Sequence, residues 1–148
     1  PSATGVADRI NHQIKFRERW RPLCPSMLDT VAPQMIKVDH PAPFMTFTFE
    51  VSEEWKTRVP EVVHEDGTSR AQVLKREYNP RYYDMMKELE VLTGNGVSLN
   101  TSLNRRGEAM ICSPTDALNM FFGSDLEYLI MEDILVVKDG VDPYDSVG

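Results

Sequence analysis

Two junctions in the body of this chain, each a capping residue followed directly by proline and then by an apolar run of helical spacing, limit the fold more than any other feature. Asn79-Pro80 and Ser113-Pro114 each place a side-chain acceptor before a residue whose fixed φ suits the first helical position. The first junction predicts a helix that carries Tyr83, Met86 and Leu89 and stops near Gly94. The second predicts a helix with Leu118, Phe121 and Phe122 toward the core. Asp116 stands there where a capping-box acid belongs, although Glu is the usual choice.

Between and around these helices the pattern turns to strands. Met45, Phe47, Phe49 and Val51 alternate with Thr46, Thr48 and Glu50, the period of a half-buried strand. The apolar runs Tyr128–Met131 and Ile134–Val137 flank Glu132-Asp133, which reads as a turn. Val6, Ile10 and Ile14 lie four apart and predict a short N-terminal helix running into a basic loop, where Pro22 and Pro25 interrupt regular structure. Interleaved helices and strands give an α/β class with an open mixed sheet and flanking helices.

The 148 residues suit one domain over 1–148, with an acidic tail at 139–148 that frays. Cys24 and Cys112 are too few for a secreted disulfide framework, and each neighbours apolar or proline residues where a reduced thiol packs. No apolar run approaches the roughly 20 residues a membrane span needs, and Pro1–Gly5 lacks the regions of a signal peptide. The expectation is a cytoplasmic protein with no membrane contact. A start on Pro instead of Met reads as an excised piece of a longer chain.

The net charge of −7 is unevenly placed: residues 107–148 hold nine acids and one base, leaving fifteen bases against fourteen acids upstream. The positive charge falls in short loops, as suits a few phosphates better than a duplex, so no nucleic-acid partner is expected. In Lys15-x-Arg17-x-Arg19-x-Arg21 an extended chain would aim all four bases one way and form an anion comb; a solvated basic strand over Trp20 is the plain alternative. Asp66-Gly67-Thr68-Ser69-Arg70 has the composition of a tight turn, and a hairpin alone explains Asp-Gly but does not call for Arg70. Arg70, Gln72 and Leu74 share a strand face, so Arg70 and Gln72 can line a pocket together.

Asn100-Thr101-Ser102-Leu103-Asn104 begins where the apolar Val97-Ser98-Leu99 ends, the place of ligand loops in open α/β sheets; an Asx-rich loop that satisfies its own backbone is the alternative. His12, His40 and His64 show no ligand spacing and there is no Cys-x-x-Cys, so no dedicated transition-metal site is expected. P-loop and dinucleotide fingerprints are missing as well.

Taken in order, Asp8-Arg9-Ile10-Asn11, the Arg-rich loop, Asp66-Gly67-Thr68-x-Arg70-x-Gln72, Asn79-Pro80-Arg81-Tyr82-Tyr83, Asn100-Thr101-Ser102-x-Asn104 and Gly107-Glu108 resemble the C-terminal domain of the NodU/CmcH-type O-carbamoyltransferases. Those enzymes make carbamoylated nodulation factors and antibiotics. Two positions depart from the family pattern: Arg19 replaces a proline, so no binding role passes to it, and Leu103 stands for the usual Phe.

The resemblance implies a YrdC-like twisted open sheet and a reaction of carbamoyl phosphate with ATP, Mg²⁺ arriving with the nucleotide. Carbamoyl phosphate is cleaved to carbamate, which attacks the α-phosphorus to give carbamoyl-adenylate and pyrophosphate. Joined to the loop chemistry above, that reaction gives the expectation that Lys15, Arg17 and Arg21 hold phosphates and that Arg70 clamps the carbamoyl phosphate or α-phosphate, Arg70 and Arg17 being the catalytic pair. Asn100, Ser102 and Asn104 would hold the nucleotide, with Arg106 as a further phosphate contact. The partner the resemblance implies is an N-terminal domain of the same full-length chain, outside this sequence, that passes the carbamoyl group to a sugar or antibiotic hydroxyl. A homodimer is compatible with the sequence. A different class of function, a non-catalytic module that binds a nucleotide or phosphometabolite, uses the same residues; kinship with RNA-binding YrdC proteins fits the acidic balance poorly.

Overall fold

A computed structural model describes residues 1–142. In chain order the elements are α1 (Val6–Arg9), a π-helical turn (Ile10–Ile14), β1 (Cys24–Leu28), α2 (Ala32–Met35), β2 (Phe49–Glu50), α3 (Glu53–Arg58), a 3₁₀ turn (Pro60–Val62), β3 (Thr68–Ser69), β4 (Gln72–Leu74), α4 (Pro80–Thr93), β5 (Val97–Asn100), α5 (Pro114–Phe122), β6 (Tyr128–Met131) and β7 (Ile134–Val137). They fall into two compact units, one of Pro1–Ala7 with Trp20–Thr101 and one of Asp8–Arg19 with Ser102–Gly148.

The first unit is built on an open three-stranded sheet in the order β4-β1-β5. The central strand β1 is buried throughout, parallel to β4 (Ser26 opposite Gln72) and antiparallel to β5 (Cys24 opposite Asn100). The sheet is therefore mixed and open, and helices flank it, as the interleaved sequence pattern requires. Its core joins Met27, Leu28, Met35, Val59, Val62, Met86 and Val97, all fully buried.

Helix α4 starts and stops where its sequence says. The Asn79 side chain accepts the Tyr82 N–H at 3.1 Å, Pro80 takes the first position, and Gly94 ends the helix at φ 71°. Arg58, lying 4.1 Å over the Trp55 ring, donates to the Gly94 carbonyl at 3.0 Å and so satisfies an orphan helix-end acceptor.

Two expectations in this unit fail, and a third fails in the basic segment of the second unit. The alternating run Met45–Val51 pairs only at Phe49–Glu50, against Thr68–Ser69, with an isolated bridge from Ile36 to Val51. Met45 is left-handed at φ 49° and Phe47 is 52% exposed, because the opposing segment supplies two residues of ladder before Gln72–Leu74 turns to β1. Pro25 does not interrupt structure: it lies within β1, at the end where the β4 ladder has not yet begun, so its missing N–H costs that ladder nothing. Nor is the basic segment an extended comb. Lys15 has helical dihedrals and Phe16 stands at φ 52°, which turns the chain between the first two bases.

In the second unit the predicted N-terminal helix widens into the π-helical turn, closed by the Lys15 N–H on the Ile10 carbonyl at 2.9 Å. The wider turn buries Asn11 and Lys15 and leaves Ile10 and Ile14 half-buried, so the fourfold apolar spacing does not set its face. Helix α5 packs Ala117 and Phe121 against Leu129, while Phe122, expected in the core, is 67% exposed. Ser113 Oγ accepts the Asp116 N–H at 3.2 Å. The shorter Asp carboxylate takes the Cys112 N–H at 3.3 Å, one residue earlier than a capping box would.

Strands β6 and β7 form the expected hairpin, Met131 opposite Ile134 across Glu132-Asp133. Near the end of the described residues the Tyr128 hydroxyl donates to the Asp142 carbonyl at 2.9 Å; residues 143–148 of the tail expected to fray lie outside the described residues. No helix among the described residues is long and apolar enough to cross a membrane.

Candidate functional site

The sheet of the first unit gathers polar side chains on one face. Cys24 and Ser26 of β1, Gln72 of β4, and Ser98 and Asn100 of β5 alternate with apolar neighbours and point the same way. Ser26 Oγ donates to Gln72 Oε1 at 2.7 Å, and Asn100 Nδ2 donates to both Ser26 Oγ and Gln72 Oε1 at 2.8 Å. One rung along, Arg70 directs Nε and Nη2 to Cys24 Sγ at 3.3 and 3.2 Å, and it forms no ion pair with any described residue. Tyr82 of α4 brings its hydroxyl to 3.3 Å from Ser98 Oγ.

The Asp66-Gly67 turn delivers Arg70 to this face. Asp66 Oδ1 accepts the Thr68 N–H and hydroxyl at 2.9 and 2.7 Å, which holds the Asp66 carboxyl below its ordinary range, and Gly67 takes φ 79°. The tight turn is borne out, and Arg70 and Gln72 share a face as the alternation predicts. Lys75 and Arg76 lie apart from them in exposed pairs, Lys75 with Glu77 at 3.9 Å and Arg76 with Asp84 at 3.0 Å. Arg21 belongs to this unit and is exposed.

The second unit holds Lys15, Arg17, Ser102, Asn104 and Arg106. Lys15 is 4% exposed, and its ammonium donates to the Ser102 carbonyl at 2.5 Å, the Asn104 carbonyl at 2.9 Å and Asn104 Oδ1 at 3.1 Å. The Ser102 hydroxyl also donates to Asn104 Oδ1 at 2.6 Å, and Asn104 Nδ2 donates to the Glu108 carbonyl at 2.9 Å. Lys15 thus shapes the Asn-Ser loop from below. Arg17 is fixed by the fully buried Asn11, whose Oδ1 accepts Arg17 Nε at 2.7 Å and whose carbonyl accepts the Arg17 N–H at 2.9 Å.

Arg17 and Arg106 line one open cavity of about 520 Å³ with His12, Gln13, Phe16, Glu18 and Asp125. Arg106 pairs with Glu18 at 3.0 Å there. The adjacent Arg105 is structural: it clamps Glu108 at 2.7 Å, holding that carboxyl below its ordinary range, and donates to the Gly123 carbonyl at 3.2 Å. Cys112, expected to pack as a thiol, is exposed; its hydrogen bond to the Asp116 carboxylate raises its pKa and keeps it protonated. Among the described residues no cluster of three or more His, Cys, Asp or Glu could hold a metal ion.

Sequence reading missed Cys24, Ser26 and Asn11. Cys24-x-Ser26-x-Leu28 alternates as a strand should, and taking Pro25 as a breaker hid that signal; Asn11 stands in the Asp8-Arg9-Ile10-Asn11 motif, but nothing in its neighbours marks its side chain as buried.

A family model described as carbamoyltransferase C-terminus matches residues 1–138. Nodulation protein NolO of Bradyrhizobium diazoefficiens is 35% identical over 134 residues, 88% of this chain and 24% of that protein. Nodulation protein U of Rhizobium tropici is 32% identical over 143 residues, 97% of this chain and 24% of its own length. An uncharacterised protein of a Synechocystis strain is 32% identical over 158 residues, covering 93% and 26%. The chain spans about a quarter of the length of these curated relatives.

Proposed function

This chain belongs to the carbamoyltransferase C-terminal family, related to the nodulation proteins NolO and U, and on that premise we propose that it forms carbamoyl-adenylate from carbamoyl phosphate and ATP. Water cleaves carbamoyl phosphate to carbamate and phosphate. A carbamate oxygen then bonds to the α-phosphorus of ATP as the bond to the departing pyrophosphate breaks. Both substrates are polyanions, and the charge that develops in such transfers is met by fixed donors and by Mg²⁺ carried on the nucleotide.

The observation that carries this reading is the meeting of Arg70 and Asn100 at Cys24, over the Ser26–Gln72 network. A guanidinium held only by a sulfur contact keeps its fork for a phosphate, and the network beneath fixes its neighbour without reorganisation. In the second unit Arg17 and Arg106 are the phosphate contacts, Ser102 and Asn104 present the nucleotide loop, and Lys15 gives that loop both its shape and a positive charge. Arg21 adds an exposed phosphate contact to the first unit. Transfer of the carbamoyl group to a hydroxyl, of a sugar such as a nodulation factor or of an antibiotic, belongs to chain outside this domain.

Exchange of labelled pyrophosphate into ATP tests the reading. It should require carbamoyl phosphate and fall about 100-fold or more in Arg70→Ala; exchange without carbamoyl phosphate, or unchanged in the variant, would overturn it.

A further inference from the structure

The hydrogen-bond network under Asn100 assigns every proton, starting from a backbone carbonyl. Gln72 approaches the Pro43 carbonyl at 3.1 Å. A carbonyl only accepts, so the Gln72 atom there is Nε2, and Oε1 must face Ser26 and Asn100. The Asn100 atom 2.8 Å from Gln72 Oε1 is therefore nitrogen, and its two hydrogens serve Gln72 Oε1 and Ser26 Oγ. The Ser26 hydroxyl, fully buried, has one hydrogen left and gives it to Gln72 Oε1 at 2.7 Å. Turning the Asn100 amide over would set oxygen against oxygen. Asn100 Oδ1 consequently faces away from the network, and it receives no hydrogen bond from any described residue.

We propose that Ser26 and Gln72 are positioning residues that lock the Asn100 amide oxygen-outward, so that the site selects a ligand carrying a neutral N–H or O–H donor beside its phosphate. The pairing of Asn100 with Cys24, which in turn receives Arg70, sets that acceptor and a guanidinium on either side of one residue. The proposal rests on the carbamoyl-adenylate reading, in which both substrates carry such a donor: the carbamoyl NH₂, or a ribose hydroxyl of ATP. An oxygen-outward amide rewards either, and it opposes an anionic oxygen in the same place.

Calorimetric titrations of the chain with carbamoyl phosphate against acetyl phosphate, whose methyl replaces the NH₂, and with Mg²⁺-ATP against its 2′-deoxy and 3′-deoxy forms, test it. In one of the two sets the analogue lacking the donor should bind about tenfold or more weakly, and the set that does so identifies the group. Ser26→Ala and Gln72→Leu should bring that ratio toward one while phosphate binding persists. Gln72→Glu, which still offers Asn100 an acceptor, should weaken all anions alike and keep the ratio.

Equal binding within every set overturns the proposal. Should the variants fail to fold, the unsubstituted chain still decides it: both Asn100 Nδ2 hydrogens should be slowed in solvent exchange by NMR, and exchange at the rate of a free amide overturns the orientation. Protected hydrogens with no binding of either substrate would remove the carbamoyl-adenylate reading and leave the locked amide standing; binding with unprotected hydrogens would do the reverse.

Discussion

A buried ammonium needs acceptors for all its hydrogens, and Lys15 finds three on Ser102 and Asn104. Removing the charge in Lys15→Met leaves those oxygens short of a donor and should lower the unfolding free energy by about 2 kcal/mol, read from urea denaturation. Asp116 carries a pH signature. Its carboxyl sits below the ordinary range, first because the Ser113 hydroxyl donates to it and then because the Cys112 N–H does. A carboxyl depressed in the folded state stabilises above its unfolded pKa and loses that contribution as pH falls through the folded value. Asp116→Asn should therefore be less stable than the parent at neutral pH, and the difference should vanish in acid; a difference independent of pH would contradict this. Asn79, Ser113 and Gly67 were legible because caps and turns are local rules. Ser26 and Asn11 were not, since a buried polar residue is defined by its partners, and Asn100 lies 74 positions from Ser26.

At the scale of elements, α4 offers the sharpest tests because both its ends are made by single residues. Asn79→Ala removes the acceptor for the Tyr82 N–H and should cost about 1 kcal/mol. Gly94→Ala meets no atom within 4 Å, so its cost, also about 1 kcal/mol, is the strain of φ 71° alone, and Gly94→Asn should recover part of it. Both are measured as midpoint shifts at constant slope in urea. Helix starts and the β6–β7 hairpin follow from short-range chemistry. The run Met45–Val51 has a strand's alternation yet makes only two residues of ladder, because a strand exists only as far as its partner does. The N-terminal segment likewise has an α-helical spacing but takes a π-helical turn, and the buried Asn11 and Lys15 that mark it are polar positions no apolar period reports.

For the molecule as a whole, the family resemblance read from scattered motifs is borne out over residues 1–138, and the mixed open sheet with flanking helices is the one the pattern implied. Each unit has its own core, around Met27 and Met86 in the first and Phe121 in the second. Core truncations there, Met27→Ala or Phe121→Ala, should each cost about 3 kcal/mol or more, far above the cap and turn variants. Three-dimensional structure adds to the sequence reading the company each basic residue keeps. Arg70 meets a sulfur, Lys15 a loop of carbonyls, and Arg105 a carboxylate; sequence spacing does not distinguish these environments. Calorimetry of Mg²⁺-ATP and of carbamoyl phosphate with this chain and with its Arg70→Ala variant tests the polyanion site most directly. Saturable binding of both ligands, weakened about 100-fold without Arg70, is the predicted result; no binding, or binding indifferent to Arg70, would contradict it.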